Sequence, residues 1–186
     1  MPRLPFLRRP AAPVTGDRRG VAVVEFALIL PVMLLLYFGG VQLQDAIACD
    51  RKVSIATRAL ADLIGQNQSG TISAKEVLDS LNAATQVLVP FASDPSKLRI
   101  SAIASDDHGR IIVQWSQGLR MTPYRRGQQI TAPTSTITPG TYVLLAEVDY
   151  AYSPPVRFGN IGPLTLGDQL FMVPRNTDKI DCPDCQ

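Results

Sequence analysis

The side chains best equipped for chemistry in this chain are three cysteines, one histidine and one isolated glutamate. Cys182 and Cys185 form a Cys-Pro-Asp-Cys pair at the C-terminus. A CxxC pair can be a redox centre, half of a zinc site or a small structural disulfide. Redox chemistry places the pair at a helix N-terminus in a thioredoxin-like βαβ setting, where the dipole lowers a thiol pKa, and this pair lies in an extreme tail. Zinc needs two further ligands, and only Cys49 and His108 remain. Outside the cytoplasm an oxidised Cys182–Cys185 loop is therefore the leading expectation. Cys49 bonded to a tail cysteine is the second arrangement, and either one leaves a cysteine over for a free thiol or an intermolecular bond. His108 sits among Asp106, Asp107 and Gly109, which is the chemistry of a solvated turn rather than of a catalytic or metal-bound histidine. No phosphate-cradling glycine loop, histidine pair or nucleophile motif is present. The sequence thus indicates no catalysis, no cofactor and no metal; a periplasmic thiol oxidoreductase working through Cys182 and Cys185 is the remaining enzymatic reading.

Glu25 is the one charge in an apolar run from Gly20 to Val41. At ~1.5 Å per helical residue that run matches the ~30 Å hydrocarbon core of a bilayer, so residues 21–43 read as a transmembrane helix. Ahead of it stand Arg3, Arg8, Arg9, Arg18 and Arg19 against Asp17, whereas Asp45 and Asp50 mix with Arg51 and Lys52 behind it. Excess Arg and Lys marks the cytoplasmic side. Residues 1–20, with Pro2, Pro5, Pro10 and Pro13, then form a cytoplasmic leader without regular structure. A carboxylate in a lipid-facing helix costs roughly 2.5–3.5 kcal/mol at the bilayer centre, so Glu25 calls for shallow depth or a partner.

Arg18, Arg19 and Gly20, then four apolar residues, then Glu25 and Phe26 and the rest of the apolar run: this pattern resembles the processing signal of type IV pilin-like precursors, most closely the TadE-like pseudopilins (TadE/TadG family) of tight-adherence (Tad, or Flp) pilus machinery. The resemblance covers residues 18 to about 65. It implies cleavage by a prepilin-type peptidase between Gly20 and Val21, which leaves Glu25 as the fifth mature residue and Phe26 as the sixth. A new ammonium on Val21 at the membrane edge could then pair with Glu25 of a neighbouring subunit, offsetting the cost of both charges. It further implies a single-pass inner-membrane protein with a periplasmic domain in a ladle shape, possible extraction into a pilus, and pilin-like subunits and Tad assembly proteins as partners. Three other readings of the same stretch stand beside it. One is an uncleaved, membrane-anchored periplasmic binding protein of the TadG-like kind. Another is a secretory signal peptide with an unusually long apolar region holding Glu25 and Pro31. The third is a lipoprotein box at Ala46, Ile47, Ala48 and Cys49, which is poor because Ala46 stands where leucine is usual.

Pro31, Gly39 and Gly40 are weak points or close-approach sites within the span. Beyond them, residues 44–65 lack Pro and Gly until Gly65 and read as an amphipathic extension of the helix. Its apolar stripe can be drawn through Ile47, Ala48, Ile55, Ala59 and Leu63, directed at a globular domain. Residues 66–186 are then the extracytoplasmic domain, ending in the cysteine-containing tail. Ser73 and Glu76 form a capping box opening a second helix, with Val77, Leu78, Leu81, Ala84, Val87 and Leu88 at helical spacing until Pro90. Leu98–Ala104 and Ile111–Trp115 read as a hairpin, Thr141–Tyr152 as a long strand and Leu170–Val173 as another. Ser116–Gly140 and Ser153–Gly167 read as loops. The expected class is α+β: a long N-terminal helix running into a small domain with a second helix and a three- or four-stranded antiparallel sheet. The formal net charge of +2 becomes minus two over residues 21–186 once the leader arginines and Asp17 are left out, which gives no reason to expect a nucleic acid partner.

Overall fold

The computed structural model describes residues 19–106, 109–131, 140–154 and 163–186. The fold class is α+β, as expected, with a long apolar N-terminal helix, a second short helix and an antiparallel sheet of five strands, the strand beyond the expected three or four coming from the excursion read as a loop. Helix α1 spans Arg19–Gly65, with Pro31 inside it. The chain divides into two units, one reaching to Val41 and the other running from Gln42 to Gln186. In the first, every described side chain from Gly20 to Val41 is exposed.

The second unit is built on a sheet of strands β1 (Ser96–Ser105), β2 (Ile111–Leu119), β3 (Gln129–Ile130), β4 (Tyr142–Tyr152) and β5 (Leu164–Met172). Their order is β3-β2-β1-β4-β5 with every neighbour antiparallel. Strand alternation sends Leu98, Ile100, Leu144, Ala146 and Val148 to one face, where they share a core with Val53, Leu60, Ile64, Val77, Leu81 and Ile180. On the other face Ile103, Ile111, Val113, Val143 and Leu145 form a smaller cluster under Tyr124, Ile130 and Phe171. Beside it Arg99 meets Glu147 across the β1–β4 register with two contacts of 2.7 and 2.8 Å.

Helix α2 (Ala74–Thr85) starts at the capping box read from the sequence. Ser73 N–H donates to Glu76 Oε2 at 2.8 Å and Glu76 N–H to Ser73 Oγ at 3.3 Å, satisfying two helix-end donors. Val77, Leu81, Ala84 and Leu88 are buried along its predicted face, the last on a short 3₁₀ turn. The β1–β2 hairpin and β4 also lie where alternation placed them. Asp107 and His108, at the hairpin turn, lie outside the described residues.

Three sequence expectations are corrected. β5 begins at Leu164, inside the stretch read as a loop up to Gly167. β2 continues to Leu119 and β3 follows at Gln129, so part of the Ser116–Gly140 excursion belongs to the sheet. The third correction concerns α1. Ile47, Ile55 and Leu63 are 47%, 51% and 45% exposed, Ala48 is exposed and Ala59 only partly buried. The buried stripe is instead Cys49, Val53, Ala56, Thr57, Leu60, Ala61 and Ile64. These recur at the three-and-four spacing of one helix face, and the apolar ones belong to the core cluster that the sheet's inner face shares. Thr57 is tolerated there because its Oγ1 donates to Val53 O at 3.0 Å.

Candidate membrane-anchoring and assembly site

The residues that could anchor and assemble this chain lie in the first turns of α1. Gly20 is its second residue, and a Cβ built there would meet nothing within 4 Å. Val21 and Phe26 are 57% and 59% exposed, and Glu25 is exposed too. Val21 and Glu25 stand four residues apart, one above the other on a single helical face. The helix therefore places the Glu25 carboxylate on the same side as Val21, with Phe26 about 100° round the axis. The helix contains a window long and apolar enough to cross a membrane, none of it buried inside the fold.

Farther along, α1 is tied into the second unit. Tyr152 O–H donates to Asp45 Oδ2 at 2.7 Å. Burial, with Asp45 beside it, pushes the Tyr152 phenol up to about 12. The Phe91 ring meets Tyr150 and Tyr152 edge-on, with centroids 6.5 Å apart in each case, and Tyr150 O–H donates to Ala92 O at 3.0 Å. One turn beyond Asp45, Cys49 is buried and unpaired. Burial, aided by the charges of Asp45 and Asp50, pushes its thiol up to about 11.

Cys182 and Cys185 are joined in a disulfide. The alternative bond from Cys49 to the tail does not form, and Cys49 drops out of the disulfide set because the core surrounds it. The same burial speaks against the lipoprotein box, since a lipid chain on Cys49 would have to pass through packed side chains. The oxidised pair is itself interior, with Cys182 fully buried and Cys185 9% exposed. Among the described residues no group of three or more His, Cys, Asp or Glu side chains gathers as metal ligands would.

Sequence reasoning missed two polar clusters. Arg99 donates to both Glu147 oxygens and to Thr122 O at 2.8 Å, while its guanidinium stacks 3.6 Å from the Tyr124 ring centre. This pinned arginine has few donors left for a ligand. The second cluster joins Trp115, Tyr142 and the carbonyl of Ile180. Strand alternation alone puts Arg99 and Glu147 on the same face, but their register depends on pairing across 48 residues, for which the sequence holds no local signal.

No curated protein and no solved structure matches the chain. Residues 20–62, the stretch of α1 that begins at Gly20 and carries Glu25, match the family model described as TadE-like protein.

Proposed function

We propose that this chain is a minor pseudopilin or assembly factor of a Tad-type pilus or secretion apparatus, acting by helix packing and partner contacts rather than by catalysis. In this reading residues 21–43 cross a bacterial inner membrane once, the leader arginines hold the N-terminus in the cytoplasm, and the second unit faces the periplasm. A prepilin-type peptidase cuts between Gly20 and Val21. Glu25 of one subunit then pairs with the new Val21 ammonium of a neighbour, which keeps two charges from lying unpaired at the membrane edge. Other pilin-like subunits and Tad assembly proteins are the expected partners.

One observation carries the reading. The TadE-like segment starts on Gly20 and opens with an exposed apolar run, residues 20–41, whose single acid lies five positions beyond that glycine. N-terminal sequencing of the protein from cells containing the prepilin peptidase tests it. The expected first residue is Val21. A chain beginning at Met1 or Pro2 would instead make this an uncleaved anchored protein, and a first residue elsewhere in the apolar run would point to a conventional signal peptidase.

A further inference from the structure

The last residues, which the sequence presents as a polar tail, belong to the core. Ile180 and Cys182 are fully buried and Cys185 nearly so. The Ile180 carbonyl accepts from two buried aromatic side chains, the Trp115 indole N–H at 2.6 Å and the Tyr142 hydroxyl. Ile72 N–H donates to Asp181 O and Asp181 N–H to Gly70 O, each at 2.9 Å. Arg126 Nη2 donates to Cys182 O at 2.8 Å, and Ser116 N–H to Gln186 O at 2.7 Å. The tail thereby joins the loop before α2, strand β2 and the segment between β2 and β3.

Between those attachments the chain must reverse direction over Cys182 to Cys185. Apart from the disulfide, the reversal is held by one main-chain bond, Cys185 N–H to Cys182 O at 3.3 Å. Opening the disulfide restores the conformational freedom of that turn. If the tail leaves, the Trp115 and Tyr142 donors lose their shared acceptor. Buried donors without acceptors are costly, so water must enter to replace the carbonyl.

We propose that residues 180–186 are a redox-gated latch, seated only after an external disulfide catalyst has oxidised Cys182 and Cys185 by thiol–disulfide exchange. One tail thiolate attacks a sulfur of the catalyst's disulfide and forms a mixed disulfide. The second tail thiolate displaces the catalyst, which leaves as a dithiol carrying the two electrons and the two protons given up by the cysteines. Exchange precedes seating, because the seated sulfurs are buried. Once seated, they are shielded from attack, so closure is one-way under mild reducing conditions. The compartment in which this occurs rests on the outward orientation proposed above; the latch itself does not.

Trp115 is the single tryptophan of the chain, so its fluorescence reads the seat directly. The test compares the full chain in detergent micelles, oxidised, with a C182S/C185S variant. The expected result for the variant is a red-shifted Trp115 emission and stronger acrylamide quenching, with far-UV circular dichroism retained. As a second arm, the natural chain is unfolded in urea, reduced, and refolded with or without oxidised glutathione. Native emission should return only with the oxidant. Emission and quenching identical to the oxidised protein in both arms would overturn the latch, since the tail would then seat without the bond. Loss of circular dichroism along with the fluorescence change would overturn it as well, making the bond a staple of the whole unit. A chain whose tail thiols are reduced in cells, yet which latches on oxidation in vitro, would count against the orientation and leave the latch standing.

Discussion

Replacing Glu25 by alanine separates an ordinary anchor from an assembly element by the sign of the effect. Glu25 follows Gly20 by five residues of unbroken helix, which at ~1.5 Å per residue is about 7.5 Å along the axis. That is roughly half way from the membrane edge to the midplane of a ~30 Å hydrocarbon layer. An acid costs roughly 2.5–3.5 kcal/mol at the midplane, and the penalty falls toward the interface, so about 1–2 kcal/mol is a fair figure at this depth. A solitary helix should therefore insert more readily as Glu25→Ala, by about 5- to 30-fold. If Glu25 instead meets the Val21 ammonium of a neighbour, the substitution strands that cation where water is scarce. Truncating one partner of a buried charge pair costs roughly 2–5 kcal/mol, which is a loss of about 30-fold or more in assembly.

The two effects have opposite signs and can be read in one experiment. The full-length variant is expressed alongside the remaining pilus machinery, and the protein is divided into membrane-resident and assembled fractions by shearing and in-membrane cross-linking. Membrane insertion should be unchanged or improved while assembly collapses, and Glu25→Gln should behave like the alanine variant because it keeps the shape and loses the charge. A processed Val21 N-terminus in both variants shows that the loss lies in assembly and not in cleavage. Assembly by Glu25→Ala equal to that of the natural chain would refute the pairing argument.

Other expectations follow from the second unit, each measured on the full chain in detergent. Leu60→Ala should destabilise by about 2–5 kcal/mol, because Leu60 is fully buried, whereas Ile55→Ala should stay within about 0.5 kcal/mol, because Ile55 is half exposed; equal effects in denaturant titration would mean that α1 presents the other face. Burial pushes the Tyr142 phenol up to about 12, against the Trp115 N–H that favours the phenolate, from ~10 in an unfolded chain. The folded state thus keeps a proton that the unfolded state gives up, so stability is intact below pH ~10 and falls between about 10 and 12, by no more than roughly 3 kcal/mol. Tyr142→Phe should flatten that alkaline slope, and an unchanged slope would remove Tyr142 as its source. The buried Cys49 thiol, pushed up to about 11, should resist iodoacetamide at pH 8 and react only on unfolding; rapid modification of the native chain would contradict its placement.

What the sequence disclosed and what it hid divide along a physical line. Helix α2 was legible because its signals are local: a capping box from Ser73 to Glu76 and an apolar period over about three turns. The failures cluster at glycines, which sequence reading takes as punctuation. Gly167 looked like the end of a loop, yet it lies inside β5, where a Cβ would come within 2.7 Å of Asp149 Oδ1. Gly118 looked like part of an excursion, yet it lies in β2, where a Cβ would fall 2.0 Å from Met121 O as the chain folds back. Gly167 gives clearance to the Asp149 side chain on β4, a neighbour that is invisible along the chain, and Gly118 gives it to the backbone three residues on. In α1 the predicted stripe through Ile47, Ala48, Ile55, Ala59 and Leu63 lies off the buried face, which carries Cys49, Val53, Ala56, Leu60, Ala61 and Ile64; both sets fit a helical period, and only the tertiary partner decides between them. The tail failed for a related reason, since its place in the core depends on Trp115, 65 residues away.

The assembly residues are the opposite case. Gly20, Val21, Glu25 and Phe26 are recognised by spacing along one helix, and their side chains are exposed because nothing in their own fold packs on them. In the proposed reading their partners lie in other molecules, and such a motif needs no tertiary context within its own chain to be seen. An exposed glutamate in an apolar run costs free energy that its own fold does not repay, and the alanine substitution above tests whether a neighbouring subunit does.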